Sequence, residues 1–199
     1  KALNVATFHA NFESNFYYRL FRPFLYPLWD RLAGKIAVSP SAKSSISRYF
    51  SGNNIEIIPN GVDTKRFSPK GAKIRKFCDG KTNILFTGRI EKRKGLIYLL
   101  QAYAKLKKKR DDIRLIIVGR GPLEKELKKY VKENRINDVC FEGFVSIKDL
   151  PKYYRTCHIY SSPALFGESF GIVLLEAMAA AKPVLAFNIS GYNDVVANN

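Results

Sequence analysis

Gly167-Glu168-Ser169-Phe170-Gly171-Ile172-Val173-Leu174-Leu175-Glu176-Ala177-Met178-Ala179-Ala180 is the stretch on which the reading of this chain turns. It sets two acids and two glycines beside an almost unbroken apolar run. Gly167 and Gly171 mark a tight loop in which backbone can approach a ligand closely. Good helix formers run from Ile172 to Ala181, and Pro183 stops them. The pattern predicts a loop that feeds a buried helix, with Glu168 at the mouth and Glu176 further in. A helix start presents free N–H groups and a positive dipole end, which suit an anion such as a diphosphate. The competing reading is a buried helix of an α/β domain with two incidental glutamates.

Outward from that stretch, strands and helices alternate. Asn83–Thr87, Ile113–Val118, Val139–Phe141, Ile159–Ser161 and Pro183–Phe187 read as short buried strands. Between them lie helices over Gly95–Lys109, Leu123–Arg135 and Ile147–Cys157, the first with Leu96, Leu99, Leu100, Tyr103 and Leu106 on one face. Such alternation means βαβ units and a parallel sheet covered on both faces. The fold class is therefore α/β, a Rossmann-like doubly wound parallel sheet from about Lys81 onward.

Upstream, Val5–Phe8 reads as a strand that delivers His9 at its carboxyl end. Lys35–Val38 and Ile55–Ile58 are two more strands, with a helix from Ser39-Pro40-Ser41 to Phe50 capped by Ser41. Pro23 and Pro27 are expected to break or kink any helix in Phe12–Leu32, a segment rich in aromatics and arginine. That composition suits a membrane interface; packing against a missing part of the protein accounts for it equally. Pro59-Asn60-Gly61 and the weakly periodic segment to Gly80 mark a boundary. The expected division is residues 1–60, a linker 61–80, and a domain 81–199.

The 199 residues carry 34 basic against 17 acidic side chains, a net charge of +17. That predicts attraction to polyanions: nucleic acid, an anionic membrane or phosphorylated small molecules. No run of about 20 apolar residues spans a bilayer. Cys78, Cys140 and Cys157 have no metal-ligand or redox spacing, which points to a reducing cytoplasm. The first residue is Lys1 and the single methionine is Met178, so the chain reads as a piece of a longer protein.

Every glycine loop of the second half follows the carboxyl end of a strand, so all are expected along one sheet edge. That edge carries Gly88, Arg89, Lys92, Arg93 and Lys94, then Gly119, Arg120 and Gly121, then Glu142–Val145, then Gly167–Gly171. Cations and a helix start gathered there suit a phosphorylated nucleotide. Glu168 can accept from sugar hydroxyls and Glu176 from ribose hydroxyls. An acid pair of a glycoside hydrolase is rejected, because hydrolysis needs no cationic grip on a diphosphate. Gly119-Arg120-Gly121 lacks the third glycine of a dinucleotide fingerprint.

Thr7-Phe8-His9-Ala10, Ile36-Ala37-Val38-Ser39, Ile58-Pro59-Asn60-Gly61-Val62-Asp63, Gly88-Arg89 through Arg93-Lys94-Gly95, Ile117-Val118-Gly119-Arg120-Gly121 and Gly167 through Met178 occur in that order. In this the chain resembles retaining glycosyltransferases of the two-Rossmann-domain GT-B type, family 4. Within it the wording is closest to phosphatidylinositol mannosyltransferases, which use GDP-mannose. The resemblance implies that residues 1–60 end an acceptor-side Rossmann-like domain and that 81–199 form the donor domain. It implies that Arg89 and Lys94 neutralise the donor diphosphate and that Glu168 holds the transferred sugar. Backbone of Ser169, Phe170, Gly171, Ile172 and Val173 would bind sugar and phosphates, with Gly88 and Gly121 lining the site. Glu176 would bind ribose, main chain near Val145 the base, and His9 would reach sugar and acceptor. It implies no metal and no cofactor beyond the nucleoside diphosphate sugar, GDP-mannose or another, and a lipid-linked or inositol-like acceptor. It also implies a cytoplasmic, peripheral location at the anionic inner face of the plasma membrane, with no nucleic acid partner. The Gly191–Asp194 turn departs from the family pattern and is left out of the site. With half the cleft absent, the expectation is donor binding with slow transfer or none. Two other readings stay open: a UDP-glucose-type transferase, and a non-catalytic module that binds polyanions through its charge.

Overall fold

A computed structural model describes residues 3–11, 16–50 and 54–196. They pack as two compact units. One comprises the described residues of Lys1–Gly61, Gly167–Ile172 and Asn188–Asn199; the other comprises Val62–Phe166 and Val173–Phe187.

The first unit is built from β1 (Val5–Phe8), α1 (Phe16–Asp30), β2 (Gly34–Ala37), α2 (Pro40–Ser47) and β3 (Ile55–Ile57). Its three strands are parallel in the order β1-β2-β3, with Val5 opposite Gly34 and Lys35 opposite Ile55. Of the expected break or kink, the break does not occur: α1 runs through both Pro23 and Pro27. Each proline removes one backbone donor, and their four-residue spacing places both on one exposed side of the helix. The cap of α2 is Ser39 rather than Ser41: its Oγ accepts from the Ala42 N–H at 3.0 Å, and Pro40 takes the first helical position.

The second unit carries β4 (Thr82–Thr87), α3 (Leu96–Lys107), β5 (Ile113–Val118), α4 (Glu124–Glu133), β6 (Val139–Gly143), α5 (Leu150–Thr156), β7 (Ile159–Ser162), α6 and β8 (Val184–Ala186). Helix α6 covers Ile172–Ala179, its first residue belonging to the first unit, as does α7 (Ser190–Asn193). The sheet is parallel throughout, in the order β6-β5-β4-β7-β8. Every residue of β5 is buried, the mark of a strand covered on both faces. Its one charge, Arg114, is paired with Asp79 at 3.0 and 2.5 Å, which pulls the Asp79 carboxyl down to about 2.

Several expectations are corrected. Leu106 is 39% exposed rather than inward. Helix α5 begins at Leu150, not Ile147, because Ser146 Oγ accepts from the Asp149 N–H at 3.1 Å and sets a turn first. Helix α6 ends at Ala179, two residues early, where Ala181 adopts φ +55°. It is buried on one side only: Leu174 and Ala177 are covered, while Ile172 and Met178 are exposed. The segment read as a linker is tied down. Arg155 donates to the carbonyls of Arg66 (2.6 Å) and Ser68 (3.0 Å), and the Ile74 N–H donates to Thr156 Oγ1 at 2.8 Å.

Candidate functional site

In the second sheet the central strand β4 is flanked by β5 on one side and β7 on the other. Crossovers leave β4 in one direction and return past it in the other. The carboxyl ends of β4 and β7 therefore form the topological switch point, where open α/β sheets bind ligands. The loops at that point are fastened backbone to backbone. Gly88 N–H donates to Val118 at 3.0 Å, Ile90 N–H to Arg120 at 2.9 Å, and Leu165 N–H to Arg93 at 2.8 Å. Side chains have no room between them: a Cβ on Gly119 would lie 1.9 Å from the Gly88 carbonyl, and one on Gly121 would lie 2.2 Å from that of Ile90. Packing against Ile90 thus accounts for Gly121 without a ligand.

Lys92–Lys94 forms a single 3-10 turn after β4. The half-buried stem of Lys94 lies across Gly88, so that a Cβ there would sit 3.8 Å from Lys94 Cε. Arg89 is mostly exposed, with Nε 3.4 Å from Glu91, while Arg93 takes the other Glu91 oxygen at 2.6 Å. Glu91 thus spreads two guanidinium groups beside the turn. Val145 is half-buried in the loop after β6.

Glu176 reaches the same switch point through hydroxyls. Tyr154 donates to Glu176 Oε2 at 2.7 Å and sits 2.8 Å from Thr87 Oγ1, which is 3.1 Å from the Tyr160 hydroxyl. Thr87 is the residue before Gly88, so the carboxylate stands two hydrogen bonds from the end of β4. Burial pushes the Glu176 carboxyl above its ordinary range, against the opposing pull of the Tyr154 hydrogen bond. Burial also raises the Tyr154 phenol well above 10, so it remains a donor. Sequence reasoning missed Tyr154 and Thr87: an aromatic on a short helix and a threonine in a buried strand carry no local sign of a polar task.

The first unit holds the remaining candidates. His9 is exposed just beyond β1 and lines a cavity of about 290 Å³ with Thr7, Phe8, Ala10, Tyr18 and Ile46. The loop Gly167–Ile172 packs in this unit. Gly167 and Gly171 take φ of +76° and +75°, as a tight glycine loop requires. Asn11 Nδ2 donates to the Glu168 carbonyl at 3.1 Å and to Ser190 Oγ at 3.0 Å; Ser39 Oγ donates to the Ser169 carbonyl. A Cβ on Gly191 would fall 1.9 Å from the Glu168 carbonyl. Phe170 is buried, Glu168 and Ser169 are half-buried, and Ile172 is exposed. The sequence does not mark Asn11, Ser39 or Gly191 as holding this loop; the one signal is the glycine of the Gly191–Asp194 turn. Among the described residues no group of three His, Cys, Asp or Glu side chains could hold a metal ion. Nor is any described helix long and apolar enough to cross a membrane.

Residues 70–199 match the model of the glycosyl transferases group 1, and residues 3–66 that of glycosyltransferase family 4. A phosphatidyl-myo-inositol mannosyltransferase of Mycolicibacterium smegmatis is 36% identical over 195 residues, 98% of this chain and 50% of that protein. A GDP-mannose-dependent alpha-(1-6)-phosphatidylinositol monomannoside mannosyltransferase of Mycobacterium tuberculosis is 32% identical over 158 residues, 73% of this chain and 41% of that one. Anabaena HepE, solved in complex with UDP, superposes with a TM-score of 0.81 over 98% of this chain and 56% of its own, at 21% identity, which shows a shared fold. The chain spans about half the length of the curated relatives it matches. The chain belongs to the group 1 glycosyl transferases, with a family 4 segment at residues 3–66 and the Rossmann-like α/β architecture of its GT-B neighbours.

Proposed function

We propose that this chain supplies the donor site and part of the acceptor side of a retaining mannosyltransferase acting on an inositol-type lipid. The observation that carries the donor reading is the switch-point geometry: Lys94 laid over Gly88 and Glu176 linked through Tyr154 to Thr87. In this reading the cation would meet the diphosphate of a nucleotide and the carboxylate its ribose. The names of the relatives support mannose and an inositol lipid.

In this reading Arg89 and Lys94 take the diphosphate, the guanidinium by its planar fork and the ammonium as a point charge. Their charge stabilises the leaving group as the sugar departs, so no metal or further cofactor is needed. Glu176 accepts from the ribose, and main chain near Val145 meets the base. Backbone of Ser169–Val173 and the Glu168 carboxylate hold sugar hydroxyls, and His9 serves the sugar and the acceptor. The acceptor attacks from the face the diphosphate leaves, and the departing phosphate oxygen takes the acceptor proton. Positioning and electrostatic stabilisation then supply most of the rate.

Calorimetry on the chain should give micromolar binding of GDP or GDP-mannose, weakened by Glu176→Ala. A folded sample that binds no nucleotide would sink the donor assignment. In the full-length enzyme Lys94→Ala should cut turnover on the order of a hundredfold, as loss of a charge stabiliser does; unchanged turnover would remove Lys94. The net charge of +17 favours a second reading, a polyanion-binding module. Titration with GDP-mannose, UDP-glucose and an oligonucleotide at two salt concentrations separates the readings, since the module predicts steep salt dependence and no nucleotide preference.

A further inference from the structure

The segment Asp63–Phe67 belongs to no strand or helix, yet its backbone is fixed. The Asp63 carboxylate accepts from the N–H groups of Lys65 at 3.0 Å and Arg66 at 2.9 Å, and the Asp63 carbonyl accepts from the Phe67 N–H at 2.8 Å. An aspartate side chain that bonds its own backbone two residues on sets such a turn. Phe67 is buried, with its ring edge-on to that of Tyr154, the centroids 5.5 Å apart. Arg155, the next residue of α5, donates to the Arg66 carbonyl at 2.6 Å. The Arg66 guanidinium therefore leaves a held backbone, and it passes over the Phe67 ring 5.2 Å from the centroid.

That guanidinium joins two pieces of the candidate donor site. Its Nη2 donates to the Ile147 carbonyl, two residues past Val145 in the loop after β6. Bonds nearby in sequence shape this loop: Ser146 Oγ accepts from the Asp149 N–H and donates to the Asp149 carboxylate at 2.7 Å, whose other oxygen takes Lys152 at 2.8 Å. The Arg66 bond instead ties the loop to a distant part of the chain. Phe144 and Ile147 are 76% and 68% exposed, so burial of their side chains gives the loop little hold. The same charge also reaches Glu176. Burial raises that carboxyl, the Tyr154 hydrogen bond opposes the rise, and the Arg66 charge opposes it further. The main chain read as meeting the base and the carboxylate read as meeting the ribose thus both answer to one side chain.

We propose that Arg66 is a positioning residue: held by the Asp63 turn, Phe67 and Arg155, it fixes the Phe144–Ile147 backbone, through the Ile147 carbonyl, in the shape that receives the nucleotide base. This rests on the donor reading, so one arm of its test needs no nucleotide. The amides of Asp149 and Leu150 both donate to Ser146 and report whether the loop keeps its turn. In the free chain their hydrogen exchange should be severalfold faster in Arg66→Ala than in the parent, with Arg66→Lys, which keeps a donor for that carbonyl, between the two. In calorimetry Arg66→Ala should weaken GDP on the order of tenfold, the cost of ordering about one further residue on binding. Inorganic diphosphate, which has no base, should bind as it does to the parent. If Arg66→Ala loosens the Asp63 turn itself, seen as faster exchange at the Phe67 amide, Arg66→Met keeps the stem over the ring without the donor and carries the same expectations. Unchanged exchange at Asp149 and Leu150 in the folded variant overturns the proposal whether or not nucleotide binds. So does equal weakening of GDP and diphosphate, which would make Arg66 a direct contact for charge. A parent chain that binds no GDP defeats the donor reading alone, and exchange still decides this one.

Discussion

Gly167–Ile172 and the helix that follows it are consecutive in sequence, yet different parts of the molecule hold them. The loop is gripped through its main chain: Asn11 and Gly191 meet the Glu168 carbonyl, and Ser39 meets that of Ser169. The helix is gripped through a side chain, the Glu176 carboxylate bonded to Tyr154 in the second unit. Two glutamates eight positions apart therefore have different environments. Glu168 rides on a backbone fixed from outside, whereas the Glu176 carboxylate itself is fixed and partly desolvated. A main-chain grip positions any side chain the loop carries; a side-chain grip tunes one carboxylate.

Substitutions can break this contrast one side at a time. The largest effect is expected from Gly191→Val. Its Cβ would meet the Glu168 carbonyl at 1.9 Å, so the loop must move. Overpacking of this kind costs about 1–3 kcal/mol, readable as a lower melting temperature. If the loop holds the sugar, the variant should also lose the preference for GDP-mannose over GDP; an unchanged preference would detach the loop from sugar binding.

Glu176→Ala should weaken GDP and GDP-mannose alike, by roughly tenfold to a hundredfold, the range of a hydrogen bond to a charged group. Donor binding should also depend on acidity. Burial holds the Glu176 carboxyl above the ordinary carboxylate value in the folded chain, so binding that uses the carboxylate is complete above that raised value and fades as the pH falls through it. Affinity flat down to the ordinary carboxylate range would show that the ribose does not use this group.

Tyr154→Phe sharpens the same side. Removing the donor disfavours the carboxylate further, so the acid limb of nucleotide binding should shift to higher pH, with a stability loss of about 1 kcal/mol. A limb that stays in place would mean that Tyr154 only packs. The smallest effect is expected from Ser39→Ala, which takes the Ser169 contact and the cap of α2 together, about 1 kcal/mol by thermal melting, with GDP affinity unchanged.

Much of the fold was legible. The apolar run Ile113–Val118 named a strand because both of its faces are covered, and the spacing of Leu96, Leu99, Leu100 and Tyr103 named a helix because side chains three and four apart share the core face. Ends were less legible. Ser39 and Ser41 both look like caps, and only Pro40 in its favoured first position separates them. For the candidate site, Gly88 and Lys94 stand out in the sequence because they follow an apolar strand, and Glu176 because it is an acid within an apolar helix. Tyr154 and Asn11 do not, since nothing in their local sequence marks the partner.

By itself the sequence determined the alternation of strands and helices, the glycine turns at Gly167 and Gly171, and the family-bearing order of motifs. Those features depend on neighbours a few residues away, where periodicity and turn chemistry act. Only the tertiary structure decided that Ser39 holds Ser169, 130 positions on, and that Tyr154 holds Glu176, 22 positions on. It alone turned Phe16, Leu20, Phe24 and Leu28 of α1 outward. Contacts of that kind arise when separate elements pack, and a hydroxyl or a phenylalanine looks the same in sequence whichever way packing turns it.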